Sequence, residues 1–250
     1  MKQLLLIGIG PGDPQQITLQ AVDALRRGQV FFLLNKGAPT RELLDARLQL
    51  LQRHVPEGGY RVVEVTDAAR DGQARDYVGA VQAWHLQRAA LYQRLLEEQL
   101  QDGETGAFLL WGDPGLYDST LRMLALVRER GMDITVEVIP GISSVQALAA
   151  RHAIALNRIG EPLTVLPGRQ LARHGHIDNV VVMLDGQCTF TQVDAEALFI
   201  YWGAYLGTPD ELLIAGPLSE VRDRIVQVRE AARIRKGWIM DTYLLRRMPC

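Results

Sequence analysis

Short apolar runs alternate with longer amphipathic stretches along the first part of the chain. The alternation predicts strands at 3–9, 30–34, 60–65, 106–111 and 134–139, and helices at 14–27, from 40 onward, at 72–101 and at 117–130. Asp13 is a suitable N-cap for the first helix, Pro14 a suitable first helical residue and Gly28 a suitable stop. Strands that alternate with helices are typical of an α/β domain, so we expect a parallel five-stranded sheet.

The second part of the chain has a different pattern, because its apolar runs follow one another with short connections. Strands are predicted at 179–184, 198–202, 211–216 and 237–245, with one strongly patterned helix at 218–233. Short connections between successive strands imply a mixed sheet. We therefore expect two α/β domains, an N-terminal one over 1–140 and a C-terminal one with a mixed sheet over 141–250.

The first predicted strand runs directly into the sequence GIGPGDP at 8–14, which indicates a tight turn between a strand and a helix. A dinucleotide fold requires the pattern Gly-x-Gly-x-x-Gly, whose bare amides bind a pyrophosphate. Here the third glycine comes one residue early, at Gly12, and the negative charge of Asp13 follows it. Pro11 and Pro14 also lack an amide donor. The loop therefore suits a nucleoside ligand without a phosphate, and S-adenosylmethionine is such a ligand.

Two further loops follow predicted strands, WGDPGLYDST at 111–120 and PGISS at 140–144. In open parallel sheets, ligands bind outside the carboxyl ends of the strands, so the three loops predict one shared ligand site. Gly112 permits a close backbone approach, and Asp113 offers a carboxylate to an amine, a hydroxyl or a helix end. Ser143 and Ser144 either cap the next helix or also bind the ligand.

A nicotinamide cofactor would need an acidic residue about 20 residues beyond the glycines to bind its ribose. The chain has Asn35 and Lys36 in that region, near the end of the second predicted strand. A nucleotide-linked oxidoreductase is therefore a disfavoured alternative.

The 250 residues carry a formal net charge of −2, so no global field attracts nucleic acid or a membrane surface. No apolar run is long enough for a membrane span, and the N-terminal run is not followed by a signal-peptide cleavage site. Cys188 and Cys250 match no metal or redox spacing, and His174 and His176 alone make a weak metal pair. We expect a cytoplasmic protein with no metal, no membrane contact and no nucleic-acid partner.

The motifs GIGPGDP, WGDPGLYDST and VIPGISS resemble the three signatures of the tetrapyrrole methylases, which use S-adenosylmethionine as the methyl donor. The segments 140–162, 179–186, 200–213 and 237–246 extend the resemblance over nearly the whole chain. They are similar to one branch of the family, which methylates a corrin precursor and releases acetate. The resemblance implies two α/β domains with a cofactor cleft between them, a small-molecule tetrapyrrole substrate and a homodimer.

The resemblance also implies a set of cofactor-binding residues at loops and strand ends. They are Pro11, Trp111, Gly112, Asp113, Leu116, Ser143, Ser144, Met183, Leu184, Ala204, Tyr205 and Leu206. The chain departs from most relatives in two places. Most members end the corresponding strand in a Met-Gly pair, where this chain continues from Met183 to Gly186, and the segment 201–207 is also unlike most relatives.

The chemistry implied by the resemblance has two parts. A sulfonium methyl group is already a strong electrophile and an electron-rich macrocycle is its nucleophile, so methyl transfer needs positioning rather than a strong base. Release of acetate requires water to attack the acyl carbon, for which a base or a positioned water is useful. Asp185, Tyr117 and Asp241 are the candidates for that role. Arg122 and Arg158 are the candidates that bind the carboxylates of the substrate.

Three other functions remain open besides the disfavoured oxidoreductase. One is a tetrapyrrole methylase that acts at another ring position. Another is a fold relative that methylates a ribosomal RNA ribose or the modified histidine of an elongation factor, although an RNA substrate would favour a basic face. The third is a non-catalytic binding module that uses the same cleft.

Overall fold

The computed structural model describes residues 1–35, 37, 41–67 and 77–248, and the chain divides into two compact units. Unit 1 consists of Met1–Gly10 and Pro14–Ile142, and unit 2 consists of Pro11–Asp13 and Ser143–Cys250. Two residues named above, Lys36 and Cys250, lie outside the described residues.

Unit 1 is built on a five-stranded sheet whose strands are all parallel, as predicted. Its elements are β1 (Lys2–Gly8), α1 (Leu19–Arg27), β2 (Val30–Asn35), α2 (Arg41–His54), β3 (Arg61–Thr66), α3 (Tyr77–Gln99), β4 (Thr105–Leu110), α4 (Thr120–Glu129) and β5 (Ile134–Ile139). The strand order is β3-β2-β4-β1-β5, so β1 lies between β4 and β5. The helix predicted over 72–101 is described from Tyr77, because residues 72–76 lie outside the described ranges.

Strand β1 buries both of its faces, which explains its uninterrupted apolar run. Leu4 and Leu6 pack into an apolar cluster formed with α3 and α4. Leu5 and Ile7 pack into a second cluster formed with α1 and α2. A parallel strand covered by helices on both faces needs apolar side chains in both directions, so its pattern does not alternate.

The first helix begins later than predicted. Pro14 opens a short 3-10 turn over Pro14–Gln16, and α1 starts only at Leu19. Thr18 is its N-cap, because the Thr18 hydroxyl accepts a hydrogen bond of 3.0 Å from the amide of Ala21. The predicted cap at Asp13 is therefore wrong, whereas Gly28 does end the helix.

Unit 2 contains a mixed five-stranded sheet in the order β6-β7-β10-β8-β9. Its elements are α5 (Ser144–Arg151), β6 (Thr164–Pro167), α6 (Gly168–Leu171), β7 (Val180–Met183), β8 (Leu198–Ala204), β9 (Leu212–Pro217), α7 (Leu218–Lys236) and β10 (Asp241–Arg247). Strands β6 and β7 are parallel, and the other neighbours are antiparallel. The mixed sheet was predicted, but β6, which makes it mixed, was not. This strand has four residues and buries only Leu166, so it has no clear periodicity.

The core of unit 2 lies on one face of this sheet. Trp202, Tyr243 and Phe190 are fully buried there, together with Leu218 and Ile225 of α7. In the part of the chain that the structure describes, no helix is both long and apolar enough to cross a lipid bilayer.

Candidate functional site

Glycines at the ends of three neighbouring strands of unit 1 pack directly against one another. Gly8 ends β1, while Gly112 and Gly141 follow β4 and β5. A Cβ atom on Gly141 would lie 2.2 Å from the carbonyl oxygen of Gly112, and one on Gly8 would lie 2.6 Å from the nitrogen of Gly141. Both distances are well below van der Waals contact, so only glycine fits here. The carboxyl edge of the sheet is therefore formed by bare backbone.

The loops that follow β1 and β4 are joined by a small backbone bridge. The amide of Gly112 donates to the carbonyl of Gly10 at 2.8 Å, and the amide of Gly10 donates back at 3.3 Å. Gly10 has a φ of +81° and Gly112 a φ of +70°, and a positive φ favours glycine. The structure thus brings together two of the three loops that the sequence assigned to one site.

Asp113 connects this bridge to the third loop. One carboxylate oxygen accepts a hydrogen bond of 2.8 Å from the amide of Gly115, and the other accepts one of 2.9 Å from the amide of Gly141. Hydrogen bonds from backbone amides to a carboxylate are strong, so Asp113 fixes the loops that follow β4 and β5. Its position supports a role in shaping the site, and direct contact with a ligand stays a prediction.

The remaining predicted residues of unit 1 lie in the loop between β4 and α4. Trp111 is half-buried, with its ring centroid 5.8 Å from Cζ of Arg47. The amide of Leu116 donates to the carbonyl of Asp113 at 3.2 Å, which closes the turn. Tyr117 follows with a positive φ of +55° and a side chain that is 42% exposed.

In unit 2, the segment 11–13 lies against the turn that follows β8. Pro11 is buried. A Cβ atom on Gly12 would lie 2.7 Å from Cγ2 of Thr208 and 3.1 Å from the carbonyl oxygen of Leu206. Two segments that the resemblance assigned to the cofactor, around Pro11 and Leu206, are therefore neighbours within this unit.

The turn after β8 is well fixed. Ala204 and Leu206 are buried, and Tyr205 between them has a φ of +51°. The hydroxyl of Tyr205 donates to the carbonyl of Trp238 at 2.6 Å, and its amide donates to the carbonyl of Met240. A buried tyrosine held at both ends can impose a left-handed backbone that its own preferences disfavour.

The two predicted serines have different roles. Ser143 is the N-cap of α5 and forms a capping box with Gln146, so the helix-cap interpretation holds for this residue. The hydroxyl of Ser144 lies 2.9 Å from that of Thr242 on β10. In the sheet, Thr242 stands directly opposite Met183 of β7 on one side and Gly203 of β8 on the other. The end of this sheet therefore groups Ser144, Thr242 and Met183.

Leu184 continues β7 in an unusual conformation. It has a φ of +54° and is 62% exposed, although it is a large apolar residue. A left-handed backbone conformation at a leucine costs conformational free energy, and it persists only where the surrounding structure fixes it. The adjacent Asp185 provides that restraint.

Asp185 is a buried acceptor for several donors around it. Its carboxylate accepts hydrogen bonds from the amide and hydroxyl of Thr189, at 2.6 and 2.9 Å, and from the amide of Gln187 at 3.1 Å. The hydroxyl of Tyr243 donates at 2.7 Å. Burial raises the pKa of this tyrosine, and the negative charge of Asp185 adds to the rise. Asp185 is only 4% exposed, so its carboxylate is committed to holding this loop.

Asp241 forms a buried ion pair at the start of β10. Nε of Arg229 lies 2.8 Å from its carboxylate, and the indole N–H of Trp202 donates to the same oxygen at 3.1 Å. Another nitrogen of Arg229 donates to the carbonyl of Asp185 at 2.7 Å, so one guanidinium links both acids. Burial raises the pKa of Asp241, and hydrogen bonds from Arg229 and Trp202 oppose that rise without cancelling it.

The two arginines predicted to bind substrate carboxylates differ in their surroundings. Arg122 lies on the exposed side of α4. Arg158 pairs with Asp178 at 2.7 Å and with Glu161 at 3.2 Å, and these pairs raise the pKa of its guanidinium against the effect of burial. Much of the hydrogen-bonding capacity of Arg158 is therefore already used within unit 2.

Cys188 is half-buried, and burial raises the pKa of its thiol. Over the described ranges, no three side chains of His, Cys, Asp or Glu come together in a way that could hold a metal ion.

The structure also shows site residues that the sequence did not indicate. Arg229 and Thr189 complete the network around Asp185, Thr242 meets Ser144, and Arg47 reaches Trp111. Alternation along the strand MDTYLL would have placed Thr242 on the face opposite Asp241 and Tyr243. No comparable signal exists for Arg47 or Arg229, which are ordinary helix arginines in the sequence.

The residues of unit 1 fit the cofactor expected from the sequence. Gly8 and Gly141 leave no room for a Cβ atom, so no side chain projects from these positions, and the amides of Gly10, Gly112 and Gly141 already donate within the loops. Such an edge suits an uncharged nucleoside with a cationic sulfonium better than a diphosphate, which needs many convergent amides. The fit therefore favours S-adenosylmethionine over a dinucleotide.

Comparison with known families gives one match over most of the chain. The model of the tetrapyrrole (corrin/porphyrin) methylases matches residues 3–222. The chain is also 46% identical to a precorrin-6A synthase [deacetylating] from a Sinorhizobium species, over 99% of this chain and 96% of that protein.

Comparison with solved structures agrees with the sequence matches. The crystal structure of the cobalamin-synthesis-related protein CobF from Corynebacterium diphtheriae superposes with a TM-score of 0.86 at 38% identity, and each chain is covered completely. A uroporphyrin-III C-methyltransferase from Thermus thermophilus, solved in complex with S-adenosylhomocysteine, superposes with a TM-score of 0.61 at 18% identity, over 98% of this chain and 97% of that one. The second likeness concerns the fold alone.

Proposed function

Because the chain belongs to the tetrapyrrole methylase family, we propose that it methylates precorrin-5 at ring carbon C1 with S-adenosylmethionine and releases acetate, giving precorrin-6A. The observation that carries this proposal is the 46% identity, over 99% of the chain, to a relative named for this reaction. The three-loop edge of unit 1 supports the choice of cofactor. A role in aerobic cobalamin synthesis follows from the proposed substrate.

The contribution of the chain to methyl transfer is positioning. When bound, the cofactor supplies a methyl group that is electrophilic without further activation. Correct alignment of two reactants can lower a barrier by about 7–11 kcal/mol, so rigid strand ends suffice where no base is needed. The contacts among Gly8, Gly112 and Gly141 and the bonds of Asp113 provide that rigidity.

Release of acetate makes a different demand on the chain. Water adds to the acyl carbon, the carbon–carbon bond to the macrocycle breaks, and its electron pair returns to the ring. Charge develops on the acyl oxygen during this step, so a donor directed at that oxygen accelerates it. Asp185 and Asp241 are buried and committed to other donors, whereas Tyr117 is 42% exposed. Of the three candidates, Tyr117 is therefore proposed as the donor, and the two acids are proposed as positioning residues.

The carboxylates of the substrate require cationic partners. Of the two arginines predicted from the sequence, the exposed Arg122 on α4 remains the proposed partner of a substrate carboxylate. Arg158 is the weaker candidate, because Asp178 and Glu161 already neutralise its charge. A homodimer and a cytoplasmic location are also proposed, from the family resemblance and the composition, and sedimentation of the purified protein tests the first.

The decisive test of the reaction is mass spectrometry of precorrin-5 incubated with the enzyme and isotope-labelled S-adenosylmethionine. The proposal predicts that one labelled methyl group is gained and one acetyl group is lost in the same product. A product that gains the methyl group but keeps its acetyl group would instead indicate a methylase acting at another ring position.

Replacement of Tyr117 by phenylalanine tests the proposed donor. We expect Y117F to lower the rate of acetate release about 100- to 1000-fold, because one donor to a developing oxyanion is lost. The affinity for S-adenosylhomocysteine, measured by calorimetry, should stay unchanged. Y60F is the matched control, since Tyr60 immediately precedes β3 and therefore lies at the amino ends of the parallel strands, away from the loops at their carboxyl ends. Acetate release at the wild-type rate would remove Tyr117 from the mechanism.

A further inference from the structure

Arg47 crosses from α2 to the carboxyl end of β4, close to the proposed cofactor loop. Its Nε donates to the carbonyl of Leu109 at 2.9 Å, and one terminal nitrogen donates to the carbonyl of Leu43. Its Cζ lies 5.8 Å from the centroid of the Trp111 ring. The guanidinium therefore has a fixed position at the edge where parallel sheets bind ligands.

Arg47 differs from Arg88, another arginine of unit 1, in how its positive charge is neutralised. Within the ranges the structure describes, no carboxylate oxygen lies within ion-pair distance of Arg47. Asp118 affects it only through space and uses one oxygen to accept the amide of Thr120 at 2.6 Å. Burial lowers the pKa of Arg47 to about 10, with Asp118 opposing that effect.

A buried arginine of unit 1, Arg88, shows how a cation is neutralised by protein groups. Arg88 pairs with Asp67 at 2.8 Å and donates to the hydroxyls of Ser119 and Tyr92. Arg88 also stacks on Trp84, with its Cζ 4.7 Å from the ring centroid. Arg47 is half-buried and also lies beside a tryptophan, but it forms no ion pair with a described carboxylate, and a ligand can supply that carboxylate.

We propose that Arg47 binds a carboxylate of the tetrapyrrole substrate, with Trp111 holding the plane of its guanidinium. Two of its nitrogens donate to backbone carbonyls, and the donors that remain match the geometry of a carboxylate. A guanidinium held by two backbone carbonyls is preorganised for this contact, which a lysine could not reproduce. The inference rests on the proposed function, because that function identifies a substrate with several carboxylates.

The test compares R47M, R47K and the control R53M, which removes an exposed arginine from the same helix. For R47M we expect the KM for precorrin-5 to rise about 10- to 100-fold, as for loss of a charged hydrogen bond. The kcat should change by less than about threefold and the affinity for S-adenosylhomocysteine by less than about twofold. The KM of R47K should lie between those of R47M and the wild type, and the KM of R53M should match that of the wild type.

Thermal unfolding of the ligand-free variants separates binding from a structural role. Because a half-buried cation that forms no ion pair with any carboxylate the structure describes is costly, R47M should unfold at a temperature no lower than that of the wild type. The proposal is overturned by an unchanged KM, by an equal loss of S-adenosylhomocysteine affinity, or by a lower unfolding temperature in both R47M and R47K.

A binding measurement without turnover keeps this inference separate from the proposed reaction. Uroporphyrin, a stable tetrapyrrole with acidic side chains, is titrated into each variant and its fluorescence is followed. Weaker binding by R47M than by R53M supports the carboxylate site even where precorrin-5 is not turned over. Equal binding by the two variants contradicts the site, whatever the wild-type enzyme does with precorrin-5.

Discussion

The two units build the ends of their sheets by different physical means. In unit 1, the ends of β1, β4 and β5 are backbone packed against backbone, with glycine at each close approach and one carboxylate that binds amides. In unit 2, the ends of β7 and β10 are held by buried side chains, namely Asp185, Asp241 and the arginine that links them. The first arrangement depends on the absence of side chains, and the second on the neutralisation of charge.

This difference determines what each region tolerates. A Cβ atom added at a contact between two backbone segments cannot be accommodated, because no change of side-chain rotamer moves it out of the contact. A buried ion network tolerates changes of size better than the loss of one partner, because an unpaired buried charge is costly. Mutations that add volume should therefore damage unit 1, and mutations that remove charge should damage unit 2.

The largest effect is expected from R229M in unit 2. It leaves Asp241 buried without its cation and removes the donor to the Asp185 carbonyl, so the free energy of unfolding should fall by about 3–5 kcal/mol. Chemical denaturation measures the loss. The control R224M removes an exposed arginine from the same helix and should cost less than about 0.5 kcal/mol. Equal stability of the two variants would mean that the network does not support the fold.

A smaller but still large effect is expected from G141A in unit 1. The added methyl group would meet the Gly112 carbonyl oxygen at 2.2 Å, so the strand ends must separate, at a cost of about 3 kcal/mol. Calorimetry should also show that binding of S-adenosylhomocysteine is lost. G59A is the control, because a Cβ atom there has only ordinary contact, at 3.4 Å. Normal ligand affinity in G141A would separate the glycine edge from the cofactor site.

The smallest effect concerns an exposed pair of unit 1, Arg61 with Glu104, at 2.7 Å. The hydrogen bond from Arg61 lowers the pKa of Glu104 to about 2, from an ordinary 4.5. The carboxylate therefore stabilises the fold fully above pH 4.5, and the contribution is lost as the pH falls through about 2. Both side chains contact solvent, so the contribution should be only about 0.2–1 kcal/mol.

Unfolding of wild type and E104Q across the pH range checks this sign. The stability difference should be constant from neutral pH down to about 5 and should shrink below that. E98Q removes an exposed carboxylate from α3 and controls for the change in net charge. A difference that grows on acidification would contradict the assignment.

Much of the fold follows from local pattern in the sequence. The continuous apolar run of β1 indicated a strand buried on both faces, and the clusters around Leu4 and Leu5 confirm that. The start of α1 was misplaced, because a proline and an aspartate are equally suitable for a 3-10 turn and a helix. Strand β6 was missed, because four residues with one buried side chain carry no period.

The candidate site, like the fold, could be predicted from the sequence only in part. Glycine and proline indicate turns directly in a sequence, since few other residues can adopt their conformations. The loops at Gly8, Gly112 and Gly141 could therefore be predicted. The partners of charged residues are distant in the chain, as Asp185 is from Tyr243 and Arg229. No local pattern encodes such pairings.

The sequence by itself determined the α/β class, the parallel sheet of unit 1, the loops of bare backbone and the family resemblance, because each depends on residues close together in the chain. Only the tertiary structure decided which charges are compensated. It paired Arg229 with Asp241 and Arg88 with Asp67, and it left Arg47 beside Trp111 with backbone carbonyls for partners. Burial and distance set the energy of a charge, and both come into being only when the chain folds.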